Sequence, residues 1–249
     1  MIRRRIAVPS SGPWPSYPRG RAALIRWQLR ASRFHPWWVT SQEDLLNLPR
    51  PKWVHHEIAI LGGPQEDDLS LALGYLTAGE IVARQWIEHG PDDSLPVPIL
   101  YLYRHSIELS LKWLIRTAAR CAIRDGYTGP EDLSPEKLGE RLRKHNIKKL
   151  ADCLNRYMGH LKLIGPENRI DPASWNLLRW LDSGDATGET YRYAVVGQGD
   201  SRIAARPVQA NVNFYEQVNE LHKLANLLYA GYTTPLDEYR QMQDDMSEY

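Results

Sequence analysis

The 249-residue sequence predicts an all-α fold, an up-and-down helical bundle with one small extended or hairpin insert. Three observations carry this expectation. Apolar residues recur at helical spacing through most of residues 67–230. Capping signals stand at the starts of those runs, at Asp67–Asp68, Ser134-Pro135-Glu136 and Asp171-Pro172. The helical period fails in one stretch, where glycines at 184, 188, 197 and 199 frame short extended runs.

Taken in order, a first helix runs from Asp67 or Asp68 to about His89, closed by Gly90-Pro91. Leu71, Tyr75, Ala78, Val82 and Trp86 share one face, and Gly74, Ala78, Gly79 and Ala83 keep part of the helix thin. The longest helix spans about Val97 to Arg124. A third opens at Ser134-Pro135-Glu136, pauses near His145-Asn146 and resumes through Ile147–Leu163; another runs from Asp171-Pro172 to about Asp182. Tyr191–Val196 and Arg202–Arg206 form the insert, with Gly197-Gln198-Gly199-Asp200 as its turn. Val212–Tyr229 is the closing helix, with Phe214, Val218, Leu221, Leu224, Ala225 and Leu228 inward.

Composition is ordinary for a globular chain, at 43% apolar and 24% charged residues, and excludes a disordered or fibrous protein. No run approaches the roughly 18 uncharged apolar residues of a membrane span. The start MIRRRIAVPSSGPWPSYP lacks a secretory apolar core, and Pro9, Pro13, Pro15 and Pro18 spoil an amphipathic presequence helix. With two cysteines, Cys121 and Cys153, a reducing, cytoplasmic location is the default.

Net charge is +1 but unevenly spread: residues 1–56 hold ten basic and two acidic residues, a net +8 that leaves −7 for the rest. Such asymmetry marks either a nucleic-acid arm or chain ends that attract one another. Residues 1–66 also carry five of the nine tryptophans, Trp14, Trp27, Trp37, Trp38 and Trp53, among many prolines. Short helices are expected at Arg21–Ser32 and Gln42–Leu48. The segment is read as irregular chain packed on the helical body, because indoles bury large areas; its aromatic–arginine mixture also suits stacking on bases. The division expected is 1–66 basic segment, 67–235 helical domain and 236–249 acidic tail.

One stripe breaks the apolar surface of the central helix. At about 100° per residue, Tyr101, Arg104, His105, Glu108 and Lys112 fall within a sector of roughly 100°. Glu108 reaches Arg104 and Lys112 one turn away on either side. Charges on a buried helix must be paired, so one reading is a structural ion-pair ladder at a bundle seam or dimer interface. The other is a polar pocket in which Arg104 and Lys112 hold a phosphate and His105 exchanges a proton. His145, at a helix junction, either caps the helix that follows or faces His105 across the bundle. Arg192, between Tyr191 and Tyr193, is expected to hold the insert on the bundle through Tyr101 or Glu108.

The order of these signals resembles the HEPN (higher eukaryotes and prokaryotes nucleotide-binding) family over about residues 67–230. YLTAGEIVARQWI is similar to its small-residue first helix, RHSIELSLKWLI to its RHxxELxLK helix, HNIKKLADCL to its histidine-led helix and TYRYAVV to its arginine–tyrosine element. The resemblance implies a helical bundle that binds RNA or nucleotide and forms a homodimer. It also implies a possible ribonuclease in a toxin–antitoxin or phage-defence setting, with a partner protein encoded nearby. Catalytic members carry an arginine and a histidine separated by four to six residues, typically on a late helix. Here the closing helix has His222 without an arginine, while the spacing occurs at Arg84–His89, Arg30–His35 and Arg50–His55.

The candidate catalytic residues are therefore Arg104, His105 and Glu108, and the candidate ligand-binding residues are Tyr101, Lys112, His145 and Arg192. No cofactor is implied. His55-His56-Glu57 lacks the H-E-x-x-H spacing of a zinc helix, the glycines at 197 and 199 lack the lysine and following helix of a phosphate loop, and no G-x-S-x-G is present. The alternative function is a non-catalytic protein–protein interaction module whose charged stripe is an interface.

Overall fold

The computed structural model describes residues 61–63, 66–90, 92–163, 170–185 and 187–247, all within the unit Leu61–Tyr249. The expectations for the tryptophan-rich segment, for His55-His56-Glu57 and for the Arg30–His35 and Arg50–His55 pairs lie outside those residues.

The described residues are predominantly helical. Helix α1, Asp68–His89, starts on a capping box: Ser70 N–H donates to Asp67 Oδ1 at 2.8 Å, and Asp67 N–H donates to Ser70 Oγ at 3.0 Å. Helix α2, Pro96–Arg124, is the central element, buried along nearly its whole length. Helices α3 (Pro135–Leu142) and α4 (Ile147–His160) are separate, because Asn146 caps α4 by accepting from Lys149 N–H at 2.8 Å. Helix α5, Pro172–Gly184, begins on Asp171 and its N1 proline.

The insert is shorter than expected. Strand β1, Val195–Val196, pairs antiparallel with β2, Ile203–Ala204, while Arg192 and Tyr193 belong to a turn bonded back to Glu189. Gly197, at φ +96°, makes the turn possible, since a Cβ there would lie 2.6 Å from the Ser201 carbonyl oxygen. Helix α6, Phe214–Asn226, passes through a π-helical turn, Leu227–Gly231, into α7, Thr233–Ser247.

Helix α7 replaces the expected acidic tail. Its Leu236 is fully buried, Tyr239 Oη donates to Asp125 at 2.6 Å, and Gln243 donates to the Cys121 carbonyl at 3.0 Å. The acidic residues misled because they lie on its outer side; Asp244 pairs with Arg124 at the end of α2.

The face of α1 that meets the core is rotated from the predicted one. Ala72, Leu76, Gly79 and Ala83 are buried, whereas Leu71 is 39% exposed. Small side chains win the interior because α1 lies against α2: a Cβ on Gly79 would be 3.3 Å from the Tyr103 ring. Ser106 Oγ donates to the Ala72 carbonyl at 2.8 Å across the same seam. Of the residues that keep this helix thin, Gly79 and Ala83 are thus buried within the chain, while Gly74 stays exposed. No helix among the described residues is long and apolar enough to cross a membrane.

Candidate functional site

The polar stripe of α2 divides into an inner and an outer group. Arg104 and Glu108 point inward and are 2% and 1% exposed. Glu108 Oε2 accepts from Arg104 Nη1 at 2.9 Å, and its Oε1 accepts from Lys112 Nζ at 2.6 Å. Both are i,i+4 pairs of the helix, as the spacing predicted.

Arg104 ties three segments together. Its Nη2 donates to the His145 carbonyl at 2.7 Å and to the Asp185 carbonyl at 2.9 Å. Its Nε lies 3.1 Å from Asp185 Oδ2, an ion pair out of hydrogen-bond alignment. Asp185 is fully buried, and its Oδ1 accepts from Thr190 N–H at 2.7 Å. The guanidinium fork therefore fixes the α3–α4 junction and the start of the insert on the central helix. Sequence reasoning missed Asp185. An aspartate among Gly184, Thr187 and Gly188 reads as loop, and nothing in its spacing announces burial.

His145 completes the network. Its Nδ1 is 2.7 Å from Glu108 Oε1, while the side chain remains 46% exposed. Burial pushes the Glu108 carboxyl upward, but the Lys112 bond and charge and the His145 contact outweigh it and hold the group below its ordinary value. Glu108 is therefore an ionised acceptor, so the shared proton sits on His145 Nδ1. In the neutral ring Nε2 is then the free lone pair, and it has no partner among the described residues. This corrects both readings of His145: Asn146 is the cap of α4, and the ring bonds to Glu108 rather than facing His105. Gly188, at φ +78°, closes the back of the site; a Cβ there would be 3.2 Å from His145 Cβ and 3.4 Å from Arg104 Nη1.

The outer group is aromatic. His105 stacks on Tyr101 at 5.6 Å with planes 11° apart, and Tyr75 of α1 meets His105 edge-on at 4.4 Å. Tyr75 enters the site unannounced, because its position on α1 reads as packing. Burial lowers the His105 pKa, partly offset by Glu108, with Arg192, Lys112 and Arg104 adding to the lowering. Burial raises that of Tyr101. Arg192 forms no ion pair among the described residues. Its Nε donates to the Gly188 carbonyl at 2.5 Å, and its guanidinium lies 5.7 Å from the Tyr193 ring centre. The expected contact with Tyr101 or Glu108 is replaced by a local clamp that leaves the cation exposed.

The arginine–histidine spacing on α1 has a different use. Arg84 bonds Glu80 at 2.6 and 2.9 Å, and His89 Nδ1 lies 3.2 Å from the Gln85 carbonyl oxygen. His222 Nδ1 lies 3.1 Å from Tyr103 Oη, whose pKa burial pushes up to about 12. Both cysteines are buried free thiols with pKa values raised by burial. No protein-family model matches the chain, and no curated protein or solved structure matches it.

Proposed function

We propose that the chain is a HEPN-like helical bundle that binds RNA or nucleotide on the outer face of α2. The observation that carries this reading is the half-buried aromatic group Tyr75, Tyr101 and His105 beside the cationic side chains of Lys112 and Arg192 and the imidazole of His145. Aromatic faces accept bases by stacking, and neighbouring cations accept phosphate. Arg104 and Glu108 have no exposed surface for a ligand and act as positioning residues. Their part is to hold His145 with Nδ1 protonated. If the protein cuts RNA, His145 is the group that moves a proton, because its Nε2 is free.

Equilibrium binding of a fluorescent mononucleotide and a short RNA tests the reading. Tyr101→Ala and Arg192→Ala are each expected to weaken binding about tenfold, since one stacked base contributes roughly 1–3 kcal/mol. A wild-type protein that binds neither ligand overturns the proposal in favour of a non-catalytic protein-interaction module. That second reading draws on the Arg104–Glu108–Asp185 network, whose charges are paired within the chain without a ligand.

A further inference from the structure

We infer that the ligand is a single-stranded polynucleotide whose backbone continues from the α2 face into a basic concavity on α3 and α4. This rests on the proposed reading of the α2 face and adds a second phosphate-binding place to it. The concavity has a volume of about 310 Å³ and is lined by Arg141, Lys144, Lys149 and Arg156, with Cys153 and Leu150 beneath.

Its cations differ in how they are held. Arg141 and Arg156 are fixed from behind by Glu131, at 2.6 and 2.7 Å, and Glu131 also accepts from Tyr157 Oη at 2.7 Å. Arg156 uses only Nε in that bond, so its two Nη groups have no acceptor among the described residues. Lys144 and Lys149 have no ion-pair partner among the described residues. The acid on the rim, Asp152, is engaged by Lys148 at 3.0 Å. Arg141 is spent on its neighbours, since it also bonds Tyr157 Oη and the Asp132 carbonyl. The concavity therefore offers one pre-positioned arginine, Arg156, and two free ammonium groups, which suits phosphate oxygens.

The placement points to a chain rather than a single nucleotide. Lys144 and Asn146 line the concavity, and His145 between them faces Glu108 in the α2 site. Adjacent Cα atoms are about 3.8 Å apart, so the chain runs directly from one place to the other. One phosphate beside Lys112, His145 and Arg192 leaves Lys144, Lys149 and Arg156 of the concavity for the next phosphates of the same strand.

The test uses the full chain, a labelled RNA and a DNA of the same sequence about 12 nucleotides long, a labelled mononucleotide, and Lys144→Ala/Lys149→Ala. Both lysines are exposed, and an unchanged thermal melt checks that the variant folds. The expected result is binding of a 12-mer about tenfold weaker in the variant. Its log–log salt slope should fall by about 1.4, or roughly 0.7 per lost phosphate contact on a single strand, with mononucleotide affinity unchanged. The RNA and DNA arms identify which backbone is taken. Unchanged 12-mer affinity and slope overturn the inference and leave the α2 reading standing. Equal loss of mononucleotide binding also overturns it, by placing the lysines in the α2 site. Competition by polyglutamate as strong as by RNA overturns it in favour of an acidic peptide. A wild-type protein that binds neither mononucleotide nor 12-mer removes the α2 reading and the inference together.

Discussion

Glu108 and His145, 37 positions apart in the sequence, share a 2.7 Å contact in which a buried carboxylate holds a half-exposed imidazole. The carboxylate also receives Arg104 and Lys112, so three cationic or proton-bearing groups converge on one acid. Removing the acid leaves Arg104 buried against a single remaining carboxylate. Glu108→Ala is expected to destabilise the fold by roughly 3–5 kcal/mol, as loss of one partner of a buried pair does. Urea denaturation reads this directly. A midpoint within error of wild type would show that the network contributes nothing.

The helical periodicity and the caps made most of this bundle legible. Asp67, Ser134, Asn146 and Asp171 all stand immediately before helices, and the i,i+4 spacing of Arg104, Glu108 and Lys112 foretold their two ion pairs. What the stripe could not show was its depth. A helical wheel places Arg104 and His105 in one sector, yet the α3–α4 junction at His145 and the segment from Asp185 to Gly188 cover the first, while the second lies against Tyr75. That difference depends on contacts made by residues some 80 positions away, such as Asp185. The same limit hid α7, whose polar surface looks like a tail until Leu236 is seen beneath it.

Arg104 offers a sharper test of geometry than of charge. Its Nη2 reaches two carbonyls while Nη1 and Nε face two carboxylates. A lysine keeps the charge but has neither the fork nor the planar reach. Arg104→Lys is therefore expected to cost about 2–4 kcal/mol, with a drop in amide-exchange protection around His145 and Asp185. A protein as stable as wild type would mean that charge alone suffices.

Gly188 separates shape from charge at the same place. Alanine at φ +78° is strained, and its Cβ would press on His145 at 3.2 Å. Gly188→Ala is expected to cost about 1–2 kcal/mol of stability and to shift the His145 ring resonances in NMR spectra. Unmoved resonances would show that the insert does not position the histidine.

Stability should also depend on pH in a definite direction. The pKa of His105 is lowered from 6.5 chiefly by burial, so protonation favours the unfolded chain once the pH falls below that value. Glu108 is lowered from 4.5, and the stability its ionised form contributes is lost as the pH falls through its folded value. Asp67, Glu131 and Asp171 are lowered as well and add to the acid limb. The unfolding free energy is thus expected to decline from pH 7.5 to 5.5 and more steeply below 4.5. His105→Gln should flatten the upper part of the curve. A maximum near pH 5.5 in the wild type would contradict this assignment of His105.

His105 and His145 are finally told apart by what each does for the fold and for any reaction. His105 contributes a stack and an edge contact, so His105→Ala is expected to cost about 1–2 kcal/mol. His145→Ala removes one of three partners of Glu108, at a partly exposed position, and is expected to cost less, about 0.5–1.5 kcal/mol. A proton-transferring group typically contributes 10²–10⁴-fold to rate. A cleavage assay on pooled cellular RNA beside a thermal melt therefore separates the two. If wild type cuts RNA, His145→Ala should lose at least a hundredfold in kcat while melting close to wild type, and His105→Ala, which removes a stacking face, should bind RNA more weakly but keep its kcat per folded protein. The reverse pattern would move the proton-transfer role to His105, and equal retention by both variants would remove both histidines from the chemistry.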